Sequence, residues 1–188
     1  MTAILAPEAT QTWQIDASHT AVGFAVRHMM FATVRGQFGE VAGTITIDGN
    51  DLATTALNVT IGTASIDTRM AQRDQHLASP DFFDAVAFPS ATFSGRGATP
   101  NPDGSWALPG TLTIKGVAKP VTLTVQALGE GKDPWGNRRA GWSASATIDR
   151  REFGLSYNQA LETGGILVGN DVRIEAEVQA VKQVPVKA

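Results

Sequence analysis

The chain has 188 residues, 43% hydrophobic and 18% charged, enough for one domain with a substantial core. Its net charge of −3 lacks the basic excess of a nucleic-acid surface. With no cysteine, disulfides, thiol nucleophiles and thiolate metal sites are excluded.

The opening MTAILAPEATQTWQID has no Lys or Arg and only a short apolar run, Ala3 to Ala6. A secretory leader needs a positive start and about 7–15 apolar residues. No stretch reaches the ~18 apolar residues of a membrane span, so no integral membrane segment is expected. As it stands the chain reads as cytoplasmic; a processed form would be periplasmic. Residues 1–12 are expected to be a flexible segment, 13–182 a single domain and 183–188 a tail.

The stretch HTAVGFAVRHMMF, residues 19–31, alternates in the way an extended strand does. Val22, Phe24, Val26 and His28 share a crowded apolar face, whereas Ala21, Gly23, Ala25 and Arg27 share the other. His19 has the opposite parity to His28 and is expected to be a local strand-entry residue beside Asp16 and Ser18. A second strand, 34–48, shifts parity between Phe38 and Val41, with Gly39 as a bulge candidate, and continues through Ile45 and Ile47. The DGND at 48–51 marks a hairpin, after which Leu57, Val59 and Ile61 form the third alternating set.

Helical character follows over residues 69–78, with Asp67 or Thr68 as N-cap candidates. In SPDFFD, Ser79 is a further cap candidate with Pro80 at a first helical position. Strands resume at 88–97, 105–116, 118–129, 139–150 and 171–182, separated by turns at 101–104 and 133–137. The pattern predicts an all-β fold of eight antiparallel strands with a short helical insertion between strands 3 and 4. Long strands with one apolar face need a partner sheet or closure, and eight is about the number at which a closed barrel can hold one small ligand.

The expected inward faces carry Val22, Phe24, Val26 and His28 on the first strand, Phe38, Ile45 and Ile47 on the second, and Leu57, Val59 and Ile61 on the third. Later strands add Leu112 and Ile114, then Val121, Leu123, Val125 and Ala127, then Trp142, Ala144, Ala146 and Ile148. The last strand adds Val172, Ile174, Ala176 and Val178. Alternation by itself is compatible with a filled core or a lined cavity. The alanines leave room.

Arg69, Arg73 and His76 fall at i, i+4 and i+7, on one helical face, and are the headgroup candidates for an anion or carbonyl. The competing reading is a solvated face paired with Asp74, Asp81 or Asp84. His19, His28 and His76 show no metal-ligand spacing, so no metal site is expected. The glycine-rich GRGATPNPDG and GEGK lack phosphate-loop context, and no GxSxG elbow exists. Arg138–Arg139 and Arg150–Arg151 read as strand-end surface charges. An acid–base pair of His28 with Asp149 is the one enzymatic reading; no catalytic residue is otherwise indicated.

The stretches WQIDASHTAVGFAVRHMMFATVRGQF, RDQHLASPDFFD, PSATFSG, GTLTIKGVAKPVTLTV, DRREFGLSY and VGNDVRIEAEVQA, in this order, resemble the YceI-like polyisoprenoid-binding family. That resemblance spans about Trp13 to Lys182 and implies an extended lipocalin-like barrel. It implies non-enzymatic binding, storage or transport of a long isoprenoid lipid, a polyprenyl compound or an isoprenoid quinone. The lipid would be the ligand, with no other cofactor. A fatty acid or fatty amide carrier is the alternative, and a homodimer is a possible assembly.

Overall fold

The computed structural model describes residues 10–49, 51–162 and 164–184. Among these residues twelve strands form: β1 (Thr10–Ile15), β2 (Ala21–His28), β3 (Ala32–Phe38), β4 (Val41–Asp48), β5 (Asp51–Gly62), β6 (Ile66–Asp67), β7 (Ser90–Arg96), β8 (Thr99–Pro100), β9 (Trp106–Ile114), β10 (Val117–Lys132), β11 (Arg138–Asp149) and β12 (Val168–Lys182). One helix, α1 (Ala71–Ala78), lies between β6 and β7.

The registers reduce these strands to eight walls. β1 and β2 are one strand broken by a helical turn at Ala17–His19; both pair with β12, through Ile15↔Ala180 and Ala21↔Glu177. β3 and β4 are likewise one strand interrupted at Gly39–Glu40, with β3 on β2 and β4 on β1. β5 and β6 continue the pattern against β4 and β3. β7, β9, β10, β11 and β12 then follow in antiparallel order, and the β12 pairing with β1 and β2 closes the ring. The result is a closed eight-stranded antiparallel barrel. The parity shift at Gly39 is therefore where a wall breaks and bends rather than a simple bulge. Closure leaves no long unpaired edge.

The barrel has two ends. One carries the β2–β3 turn, the α1 segment, the β9–β10 turn and the segment from 150 to 167. The other carries the β4–β5 and β10–β11 hairpins and the start of β1. At the first end, β11 runs into a helical turn, Arg150–Phe153, which Gly154 stops in the left-handed conformation at φ 76°. That turn drives Phe153 and Leu155 into the interior, 1% and 6% exposed.

Several local expectations are corrected. β1 begins at Thr10, so residues 10–12 belong to the first wall; residues 1–9 and those beyond 184 lie outside the described residues. α1 starts at Ala71, with Met70 at the N-cap position and no side-chain cap bond. Asp67 instead accepts the Arg69 N–H, and Thr68 donates to Asp74, so both candidate caps are used in the loop before the helix. Ser79 closes the end of α1 by donating to His76 O, and no helix follows Pro80.

Candidate functional site

The interior holds two apolar chambers, of about 160 and 120 Å³. The larger lies toward the hairpin end, and Ile15, Ile45, Ile47, Leu57, Val59, Leu123, Val125, Trp142, Ala144 and Ala176 are among its walls. The smaller lies toward the α1 end, walled in part by Phe24, Val26, Phe38, Ile114, Ile148 and Val172. Val22, Ile61, Leu112 and Ile174 line both, so the chambers meet end to end along the barrel axis.

The structure places twenty-two of the twenty-four inward candidates in these walls, from Val22, Phe24 and Val26 on the first strand to Val172, Ile174, Ala176 and Val178 on the last. His28 and Ala146 are the exceptions. His28 is the last residue of β2, half-buried between Val168 and Ala32, and does not reach either chamber. Ala146 pairs with Ile174, whose longer side chain lines both chambers.

Other wall residues were not singled out from the sequence. Phe93, Trp106 and Leu108 sit on the same alternating register that identified their neighbours and were open to the same reasoning. Leu77 comes from α1, on the helical face expected to pack on the barrel, whereas Phe82, Phe83, Phe153 and Leu155 come from non-periodic segments folded over the end of the smaller chamber. Only the tertiary fold assigns those.

Arg150 overturns the surface-charge expectation, being 4% exposed. Its Nε donates to Gly169 O at 2.8 Å and its Nη1 to Leu155 O and Tyr157 O at 2.5 and 2.9 Å; Nη2 donates to Val168 O at 3.2 Å. One guanidinium therefore ties both ends of the 155–168 segment together over the smaller chamber. Burial pushes its pKa down, partly offset by the Asp149 charge, but an arginine stays charged. Asp149 itself is held down at about 2, chiefly by hydrogen bonds from Arg151, and lines neither chamber. His28 and Asp149 do not converge on the interior.

The headgroup candidates do not form a single face. Arg69 precedes α1, at φ 63°. Arg73 folds back to donate to Thr68 Oγ1 and Thr68 O, each at 2.7 Å. His76 stands 2.9 Å from Asp81 Oδ2, with its ring edge-on to Phe82 and Tyr157. Arg73 and His76 hold the loop–helix–loop segment together, Arg69 is exposed, and none of the three lines a chamber. Among the described residues no three His, Asp or Glu side chains cluster as metal ligands, and no helix is long and apolar enough to cross a membrane. Behind Trp142, the Trp13 ring packs edge-on at 5.9 Å, and its buried indole N–H has no acceptor.

A closed antiparallel barrel with an apolar interior defines the lipocalin-like class of barrels. Residues 13–180 match the YceI-like domain, and the chain belongs to that family. It is 39% identical to the protein YceI of Escherichia coli O157:H7 over 140 residues, 74% of this chain and 73% of that one. Its fold is similar to that of Burkholderia cenocepacia BcnA (TM-score 0.76, 24% identity, covering 88% of this chain and 98% of that one). It is also similar to a polyisoprenoid binding domain from Saccharophagus degradans (TM-score 0.66, 15% identity, covering 91% and 98%).

Proposed function

We propose that the chain binds a long-chain isoprenoid lipid, a polyprenyl compound or isoprenoid quinone, inside the barrel, and stores or carries it without chemical change. The carrying observation is the pair of apolar chambers joined through Val22, Ile61, Leu112 and Ile174. A water-sized group needs roughly 10–15 Å³, so each chamber has room for on the order of ten such groups. The two in line suit an extended chain better than a compact ligand. Each buried methylene contributes about 0.8 kcal/mol, so a tail of this length binds without any polar anchor. Lost freedom and ordering hold the net affinity well below the sum.

The smaller chamber's one charged wall residue, Arg150, is already engaged by four carbonyls, consistent with a wall that rejects water rather than one that performs acid–base work. The similar domain from Saccharophagus degradans, described as polyisoprenoid binding, supports the same ligand class. The test is organic extraction of the purified protein followed by mass spectrometry. An isoprenoid series at near-stoichiometric amount is expected; fatty acids alone, or an empty extract from protein that also fails to take up a polyprenol or quinone, would refute the reading.

A further inference from the structure

The three-residue connection between β2 and β3 is Met29, Met30 and Phe31, and these are exposed by 39%, 63% and 75%. Their backbone does not favour this arrangement. Met29 and Met30 hold φ of 50° and 69°, in the left-handed region where glycine or asparagine is normally found. The turn is nonetheless fixed: Met29 N donates to Leu167 O at 2.8 Å, and Arg27 Nη1 reaches Phe31 O at 3.4 Å and Thr33 Oγ1 at 3.1 Å. A rigid tip of three consecutive large apolar side chains, projecting into water at a cost in backbone strain, calls for an apolar partner.

Behind the tip the outer faces of β2 and β3 carry arginines, whereas β12 beside them alternates Asp171, Arg173, Glu175 and Glu177. Arg173, Ala25 and Arg35 stand side by side in register across β12, β2 and β3, on the outward face, and Arg27 follows Ala25 toward the tip. Arg27 and Arg35 are exposed, and Arg173 shares its charge with Glu175 at 2.8 Å. On the inner side of the same strand, Val22, Phe24 and Val26 line the smaller chamber, and Val168, opposite His28, lines it too. The tip therefore extends a wall of the apolar interior.

We propose that this tip docks the protein on a lipid bilayer carrying anionic headgroups, with Met30 and Phe31 entering the interface and Arg27 and Arg35 resting against the phosphates. Interfacial apolar groups enter to about 5–10 Å, the depth of a hairpin tip, and arginines a few strand residues behind then fall at headgroup level. A second copy is the poorer occupant: two tips meeting about a twofold axis would bring both arginine groups together. The proposal rests on the isoprenoid reading only for its purpose, since such a ligand resides in a bilayer; the docking itself is measured separately.

The full chain is floated with vesicles of phosphatidylcholine containing 20% phosphatidylglycerol, and with pure phosphatidylcholine. The native protein is expected to float with the first and less with the second. Met30→Ser with Phe31→Ser should lower flotation ten-fold or more, and Arg27→Glu with Arg35→Glu should remove the dependence on phosphatidylglycerol. Trp135→Ser, the exposed tip of the β10–β11 hairpin at the other end, should change nothing. Loading with a quinone from vesicles should slow in the tip variant, whereas loading from detergent solution should not. If the double variant loses its circular-dichroism signature, Phe31→Ser alone replaces it. Native protein that fails to float, a tip variant that floats equally, or a tip-dependent dimer in sedimentation without flotation would overturn the proposal. Flotation by a protein that takes up no isoprenoid would leave docking standing and remove only the proposed ligand.

Discussion

Arg139 Nη1 donates to Asp16 Oδ2 at 2.5 Å, joining the start of β11 to the break between β1 and β2. Its Nε also donates to Asp133 Oδ2 at 2.9 Å, so one guanidinium fastens the β10–β11 hairpin to the strand break across β12. Hydrogen bonds from Ser18 and Arg139 hold the Asp16 carboxyl well below the usual carboxylate range, and Arg139 with Asn137 holds Asp133 down at about 2.

Both carboxyls have folded pKa values below their unfolded ones. Their contribution to stability is therefore present above about pH 4 and is lost as pH falls from there toward 2 and below. Arg139→Gln should lower the melting temperature at pH 7 by about 2–4 °C, the scale for a chain of this size. It should also flatten the decline between pH 4 and 2. Melting followed by circular dichroism across that range reads both effects; a variant with the native acid slope would show that Arg139 is not the cause.

Arg150→Met should destabilise the barrel by on the order of 3–5 kcal/mol, because several carbonyls of the 155–169 segment lose their donor while staying buried. Urea unfolding measures the loss. Hydrogen exchange should show the change first at Leu167 and Val168, on the far side of the tie, before it reaches β12. A loss below about 1 kcal/mol would mean that water replaces the guanidinium there.

Ala144 and Ala176 face each other in register, on β11 and β12, and both line the larger chamber. Ala144→Leu with Ala176→Leu adds six carbons to that space. Lipid content by extraction should fall ten-fold or more, while lipid-free stability changes by less than the ~1–3 kcal/mol typical of overpacking a full core. A filled core would show the opposite pattern, with unchanged lipid content and a large loss of stability.

Gly36 pairs with Phe24, and a Cβ there would stand 2.5 Å from Phe24 Cζ and 2.7 Å from Thr68 Cγ2. Phe24 thus covers the glycine from the chamber side, and Gly36→Ala must push the ring inward. A loss of roughly 1–3 kcal/mol is expected, together with weaker lipid retention, from overpacking at the Phe24–Phe38 contact. Equal retention at equal stability would show that the ring has another place to go.

Alternation along the strands specified, by itself, the eight antiparallel walls and most of the inward side chains from Val22 to Val178. A strand's period of two leaves a residue with only two faces to choose between, and one buried face settles the choice for its neighbours. That rule did not govern His19, which lies in the helical turn before β2, paired with Asp16, rather than on a strand face. It could not reach what has no period. Phe82, Phe83, Phe153 and Leu155 cap the smaller chamber from loops and turns, and their inward direction exists only once the chain has folded over the barrel end. Charges were the least legible: Arg150 and Arg151 are adjacent in sequence, yet one is buried among carbonyls and the other pairs with Asp149 at the surface. The helical turn after β11 turns one arginine inward and the other outward. Where a long polar side chain finds its partners depends on segments that only the tertiary structure brings to it.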